Sequence, residues 1–309
     1  MAPWIIKPVP FNIGQGAAAA GGGTVGISDA IVFGGADGSS FPGITLATQL
    51  FDGTSVSAGQ DMVDKWGKGA GGAKDSSDDA IYLGGQLVAA YTNRIGTYTS
   101  DTWATNSATL GTARGDAWGT GSTSASEGIV YGGDAGGNAT QSCEEFDGTS
   151  VSAGDDLNTG RTQMAGRGTL ASQWCGEGND GDGDLTSFET YDGTTWTSKG
   201  NQGNFARRSP GNAGQDKDDG LLAGGYGGGS LLDDVETWDG STCTVISSLN
   251  QAVNGSTGGG SKTSALIMGG DNSGYQTTMQ EWDDTTWTTI SATLNTGVGN
   301  MNGGAVPVV

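Results

Sequence analysis

Histidine does not occur in this chain. Its absence excludes Ser-His-Asp and Cys-His nucleophilic catalysis, and with them every metal site that depends on an imidazole ligand. Cysteine is scarce. Cys143, Cys175 and Cys243 are odd in number and form no Cys-x-x-Cys, so neither a disulfide framework nor a zinc site follows from them. Apolar residues never run on for the length of a membrane-spanning helix. The opening, "MAPWIIKPVPFNIGQG", has no basic segment leading into an apolar stretch, so no secretory signal is expected and synthesis in a cytoplasm is. Positive charge is short as well: 13 Lys and Arg face 34 Asp and Glu, a net charge of −21. Such a surface repels phosphate backbones and anionic lipid, which disfavours nucleic acid and membrane surfaces as partners. It favours solubility and attracts divalent cations.

What is present in excess is glycine, 60 of 309 residues, with only 6 Pro and no Gly at every third position, so a collagen-like chain is excluded. Nine Trp, seven Tyr and seven Phe argue for packed structure over disorder. Dense Gly, Ser and Thr with scattered aromatics fit short strands joined by tight turns.

Those strands repeat. "DAIVFGG", "DAIYLGG", "EGIVYGG", "ASQWCGE", "DGLLAGG" and "SALIMGG" are apolar runs closing in a Gly pair. The first Gly of each pair is read at Gly34, Gly84, Gly132, Gly176, Gly224 and Gly269, with Glu177 in place of the second Gly in the fourth copy. A second element follows in step: "FDGTSV", "YTSDTW", "FDGTSV", "YDGTTW", "WDGSTC" and "WDDTTW", beginning at Phe51, Tyr98, Phe146, Tyr191, Trp238 and Trp282. Two series advancing together by 44 to 50 residues are not low-complexity drift. Asp-Gly between an aromatic and Val56, Trp103, Val151, Trp196, Cys243 or Trp287 reads as strand, two-residue turn with positive φ, strand. A third element, "LNTGRTQMAGRGT" from Leu157 and its counterparts from Leu110, Leu249 and Leu294, reads as a small-residue strand. About four strands in a unit of roughly 47 residues predict an all-β propeller of radial blades.

The Gly pair, the aromatic and the Trp five residues on, as in Gly84-Gly85, Tyr98 and Trp103, resemble the kelch repeat, and Arg114, Arg161 and Arg207 match the Arg that precedes its innermost strand. Trp66, Val253 and Val298 hold that place in other copies. The wording "EEFDGTSVSAG" followed by "LNTGR" is similar to kelch-like repeats of tailed bacteriophages, marine ones especially. Kelch-type oxidases bind copper partly through His, so that activity is not implied here.

The expectation is a six-bladed kelch-type propeller occupying 1–309 as one domain, the alternative being seven blades with the last abbreviated and built from both termini. A terminal strand about 3–12 and another about 295–309 are expected to take part in ring closure or inter-subunit pairing.

Candidate sites are few. "GNDGDGD" places Asp180, Asp182 and Asp184 in alternation, like the first half of a calcium loop, although Leu185 and Tyr191 stand where such a loop needs Gly and Glu. Calcium is thus the one cofactor in view, against a solvated acidic loop. Trp118 and Trp174 interrupt the repeat and are candidates for surface or ligand contact. No carboxylate pair is set by spacing for glycoside hydrolysis, so no catalytic residues are expected. The phage resemblance implies a virion structural protein, a capsid or tail decoration or an adhesion component, made in the host cytoplasm. Its partners would be other virion proteins in a multimeric assembly and a host-surface glycan. The alternative is a bacterial kelch-type carbohydrate- or protein-binding module.

Overall fold

The computed structural model describes residues 29–36, 44–65, 67–72, 79–87, 90–121 and 127–299. Among them there is no helix, and six antiparallel sheets of three or four strands follow one another along the chain, with a small two-stranded hairpin, Tyr226–Gly227 and Ser230–Leu231, in the fifth unit. Blade one contains Ala30–Phe33, Thr48–Phe51 and Val56–Ala58. Each of the other five has four strands. In blade four these are Ala165–Thr169, Ser172–Gly176, Ser187–Tyr191 and Trp196–Asn201, hydrogen-bonded in that order. The first strands of successive blades (Ala70–Gly72, Trp118–Gly121, Ala165–Thr169, Gly211–Asp216, Thr257–Ser261) pack against one another and form the hub. Fourth strands, such as Trp196–Asn201, lie at the rim with most residues in solvent.

Glycine in the hub is a matter of space. A Cβ on Gly119 would sit 1.9 Å from the Ile129 carbonyl oxygen of the adjacent strand, so no larger residue fits. The apolar second strands are buried on both faces, because each lies between two neighbouring blades.

The core is accordingly divided into six clusters, one at each junction. Ile31 and Phe33 of blade one meet Tyr82, Tyr98 and Trp103 of blade two. Corresponding clusters join blades two and three through Leu83 and Val130, three and four through Tyr131 and Cys175, four and five through Trp174 and Trp238, and five and six through Leu221 and Ile267. The sixth cluster sets Ala30, Val32 and Phe51 against Leu266, Met268, Leu294 and Val298, so blade six packs directly on blade one. The ring closes with six blades, and no seventh stands between them among the described residues. Gly299 enters the inner edge of blade one, exchanging backbone hydrogen bonds of 2.9 and 3.0 Å with Ala36. Of the two terminal strands expected to meet there, the segment 3–12 lies outside the described residues, as does 300–309.

Three local expectations are corrected. In blade four the left-handed pair is Glu177-Gly178 (φ 57° and 89°), while Gly176 ends the strand before it. The Glu177 N–H bonds Ser187 O as the Gly132 N–H bonds Ser142 O, so Glu177 replaces the first Gly, not the second. Gly176 instead occupies a strand position, where the Phe188 ring fills the space a side chain would take.

The Asp-Gly hairpins are longer than two residues. Phe51 pairs with Val56, and Asp52 Oδ1 accepts the N–H groups of Thr54 and Ser55 at 2.9 and 2.8 Å, which holds a four-residue loop. Asp147, Asp192, Asp239 and Asp283 do the same. The two-residue turn with both central φ positive occurs in the second copy, "YTSDTW", at Ser100 (49°) and Asp101 (60°). The third repeat element is a strand only in its second half: Leu157 to Met164 is the connection between blades, and Ala165–Thr169 the strand.

Candidate binding face

In each blade the loop after the Gly pair and the connection to the next blade emerge at the same end, because strands alternate in direction. That end carries the buried ion pairs found among the described residues. The three arginines of the connections are fully buried. Arg161 donates to the carbonyls of Glu177 and Ser187 at 3.0 and 2.8 Å, and its Nη2 pairs with Glu189 Oε1 at 2.9 Å. Arg114 pairs with Glu144 and Arg207 with Glu236 in the same way. Each glutamate also caps the connection that holds its arginine. Glu189 accepts the N–H groups of Asn158 and Thr159 at 2.7 and 3.0 Å, and Glu236 accepts that of Asn204 at 2.8 Å.

Where the connection carries valine instead, the acid becomes an amide. Val298 goes with Gln49, whose Oε1 accepts the Thr296 N–H at 3.1 Å, and Val253 goes with Gln280, which accepts that of Gln251 at 3.2 Å. The backbone cap is thus kept in both forms, and the carboxylate appears only with a guanidinium to neutralise it. Glu144, Glu189 and Glu236 were not singled out from sequence. Their signal is an acid two residues before the aromatic, in "EEFDG", "ETYDG" and "ETWDG", against "QLFDG" and "QEWDD".

Arg207 has a second acid. Its Nε bonds Glu177 Oε2 at 2.7 Å while its Nη2 bonds Glu236 Oε2 at 2.7 Å, and all three side chains are sealed from solvent. Burial, opposed by Arg207 and reinforced by the neighbouring Glu236, pushes the Glu177 carboxyl up to about 8. The other Glu177 oxygen, Oε1, has no hydrogen-bond partner among the described residues.

Nearer the axis, a belt of left-handed residues links the blades. Asp116 N–H bonds Lys68 O, Gln163 bonds Asp116, Ser209 bonds Gln163 and Gly255 bonds Ser209, at 2.6 to 3.0 Å. Their φ angles lie between 49° and 62°. Asp116 lies 3.6 Å from Lys68 Nζ, and burial raises its carboxyl pKa despite that ammonium. Beside it, Tyr91 donates to Asp134 Oδ2 at 3.0 Å, and burial together with that carboxylate pushes the phenol up to about 12.

The acidic loop lies on this face, but its carboxylates do not converge. Asp180 Oδ1 accepts the N–H groups of Asp182 and Gly183 at 2.9 and 3.0 Å, which holds its pKa below the usual range. Asp184 Oδ1 is held by Asn179 at 2.8 Å and Arg208 at 3.0 Å, and Asp182 points into solvent. Among the described residues no group of three acid, Cys or His side chains is placed to hold a metal ion. Asp180 and Asp184 build the loop, and the three carboxylates expected as calcium ligands are not gathered at one point.

Trp118 and Trp174 are interior residues, at 6% and 0% exposure. Trp118 Nε1 donates to Gly166 O across the junction of blades three and four, and Trp174 Nε1 to Asp219 O at 3.1 Å across the next. They break the pattern because they fill junctions lined with glycine: a Cβ on Gly220 would lie 2.7 Å from the Trp174 ring. Neither offers a surface to a ligand.

No protein-family model matches the chain, and no curated protein is significantly similar to it. Solved structures do match. The structure of YjhT superposes with a TM-score of 0.66 at 13% identity, over 86% of this chain and 98% of that one. This chain shares the fold of YjhT. At that identity the likeness extends to the fold alone.

Proposed function

We propose that this propeller is a non-enzymatic structural protein of a tailed-phage virion, a capsid or tail decoration or a host-surface adhesion component acting through the loops beside the Gly pairs. One observation carries this reading. The strongest polar constellation in the molecule, the arginines 114, 161 and 207 with their glutamates, is sealed inside the connections and joins blade to blade. Charge that an enzyme would present to a substrate is committed here to holding a ring together. The kelch-like wording of the repeats, close to that of tailed-phage repeats, supports the virion setting. Mass spectrometry of purified virions tests it: the protein is expected in stoichiometric amounts in the particle, and its absence would end the reading.

A second reading is a kelch-type carbohydrate- or protein-binding module, favoured by Tyr91, Tyr226 and Tyr275, which lie half-exposed in the loops of the Gly-pair face. Half-exposed aromatic rings are suited to stacking on sugars. A glycan array separates the two: binding lost on Tyr226→Ala supports the module, and silence across the array favours scaffolding.

A further inference from the structure

Arg167 is the buried arginine that has no acid. It lies on the hub strand of blade four at 4% exposure, and among the described residues no carboxylate pairs with it. Its hydrogen bonds go to an amide and a peptide: Nε donates to Asn212 Oδ1 at 3.2 Å, and Nη2 to the Gly258 carbonyl. Burial lowers its pKa to about 10, which leaves it charged at neutral pH. Arg114, Arg161 and Arg207, equally buried, are each neutralised by glutamate. An isolated buried charge is strongly unfavourable unless something compensates it.

Its neighbour is an exception of the same kind. At the level of Asn212 the other described hub strands have Gly71, Gly119, Gly166 and Gly258; at the level of Arg167 they have Gly72, Thr120, Ala213 and Gly259. The two large polar residues of these two levels are therefore hydrogen-bonded to each other across adjacent blades. Asn212 is fully buried, and its Nδ2 has no partner among the described residues. A guanidinium lacking a counter-charge and an amide donor lacking an acceptor share one deficit, a negative acceptor.

We propose that the hub binds one small monovalent anion of the halide class between Arg167 and Asn212. The anion accepts from the guanidinium and from Asn212 Nδ2, neutralises the buried cation, and ties blade four to blade five as the glutamates tie blades elsewhere. The adjoining hub positions are the glycines Gly166, Gly258 and Gly259, and a monatomic ion is the most compact acceptor able to meet both donors. The inference is independent of the biological role proposed above.

Bromide is the probe. Crystals of the full chain soaked in sodium bromide are expected to show an anomalous peak within hydrogen-bond distance of Arg167 and Asn212. In solution, replacing gluconate by bromide at constant ionic strength is expected to raise Tm by about 2–4 °C. Asn212→Gly, which restores the residue that neighbouring blades carry, is expected to lose both the peak and the anion-dependent rise while still folding. Crystals without the peak, or an equal Tm rise in Asn212→Gly, would overturn the proposal and leave water as the occupant.

Discussion

Arg161 Nη2 and Glu189 Oε1 lie 2.9 Å apart with both side chains closed to solvent, and the same pair recurs at Arg114–Glu144 and Arg207–Glu236. Truncating one partner strands the other. Glu189→Ala is expected to destabilise by about 3–5 kcal/mol. The molecule contains its own neutral alternative, valine with glutamine, in two other blades. The double variant Arg161→Val, Glu189→Gln is therefore expected to recover most of that loss, and a double-mutant cycle from urea unfolding measures it. Additive losses would show that the two residues act separately.

Glu177 makes stability depend on pH in the direction opposite to a normal surface acid. Its carboxyl keeps its proton in the fold up to about 8, whereas the unfolded chain releases it near 4.5. Between those values the unfolded state binds fewer protons, so stability is full at the acid end and falls as pH rises to about 8. Glu177→Gln is expected to flatten this slope and to raise the urea midpoint at the alkaline end. An unchanged slope would locate the titration elsewhere.

The aspartates of the hairpin loops titrate the other way. Asp192, Asp239 and Asp283 are each held down at about 2 by N–H and hydroxyl donors from Ser and Thr two and three residues on. Their contribution is present above the ordinary value of 3.8 and is lost as pH falls toward about 2. Carbon-detected NMR of the Asp192 carboxyl should show the depressed titration, and Thr194→Ala should move it back toward 3.8. An Asp192 titration already at 3.8 would mean that the loop does not persist in solution.

Calcium is expected to leave Tm unchanged relative to chelator, because Asp180 and Asp184 are already satisfied by backbone N–H groups, Asn179 and Arg208. A calcium-dependent rise that disappears in Asp182→Asn would restore the cation reading of this loop.

The period, the Gly pairs and the aromatic flanks of the hairpins were legible because each is local and recurs. Phe51 with Val56 and Tyr98 with Trp103 pair as their spacing implies. What was not legible depends on partners distant in sequence. The connection arginines stood out, but Glu144 and Glu189 looked like ordinary strand acids until the fold placed them against those arginines. Glu177 was misplaced by one residue because glycine stands on both sides of it, and only the hydrogen bonds of its N–H decide which is the turn. Trp118 and Trp174 looked exceptional and are, but their exception answers to the glycines facing them. Arg167 and Asn212 each break a column of small residues, and nothing in either column alone says that the two meet.

The Gln49 side chain and the Thr296 backbone exchange two hydrogen bonds across 247 positions of chain. During synthesis the blades accumulate as an open crescent with two unsatisfied apolar faces, and they stay so until residues near 299 are available. Closure therefore depends on contacts of very long sequence separation, the kind that form slowly. Once the ring is shut, every blade is packed on both sides by a neighbour. Its durability is then set by the rate at which one junction opens.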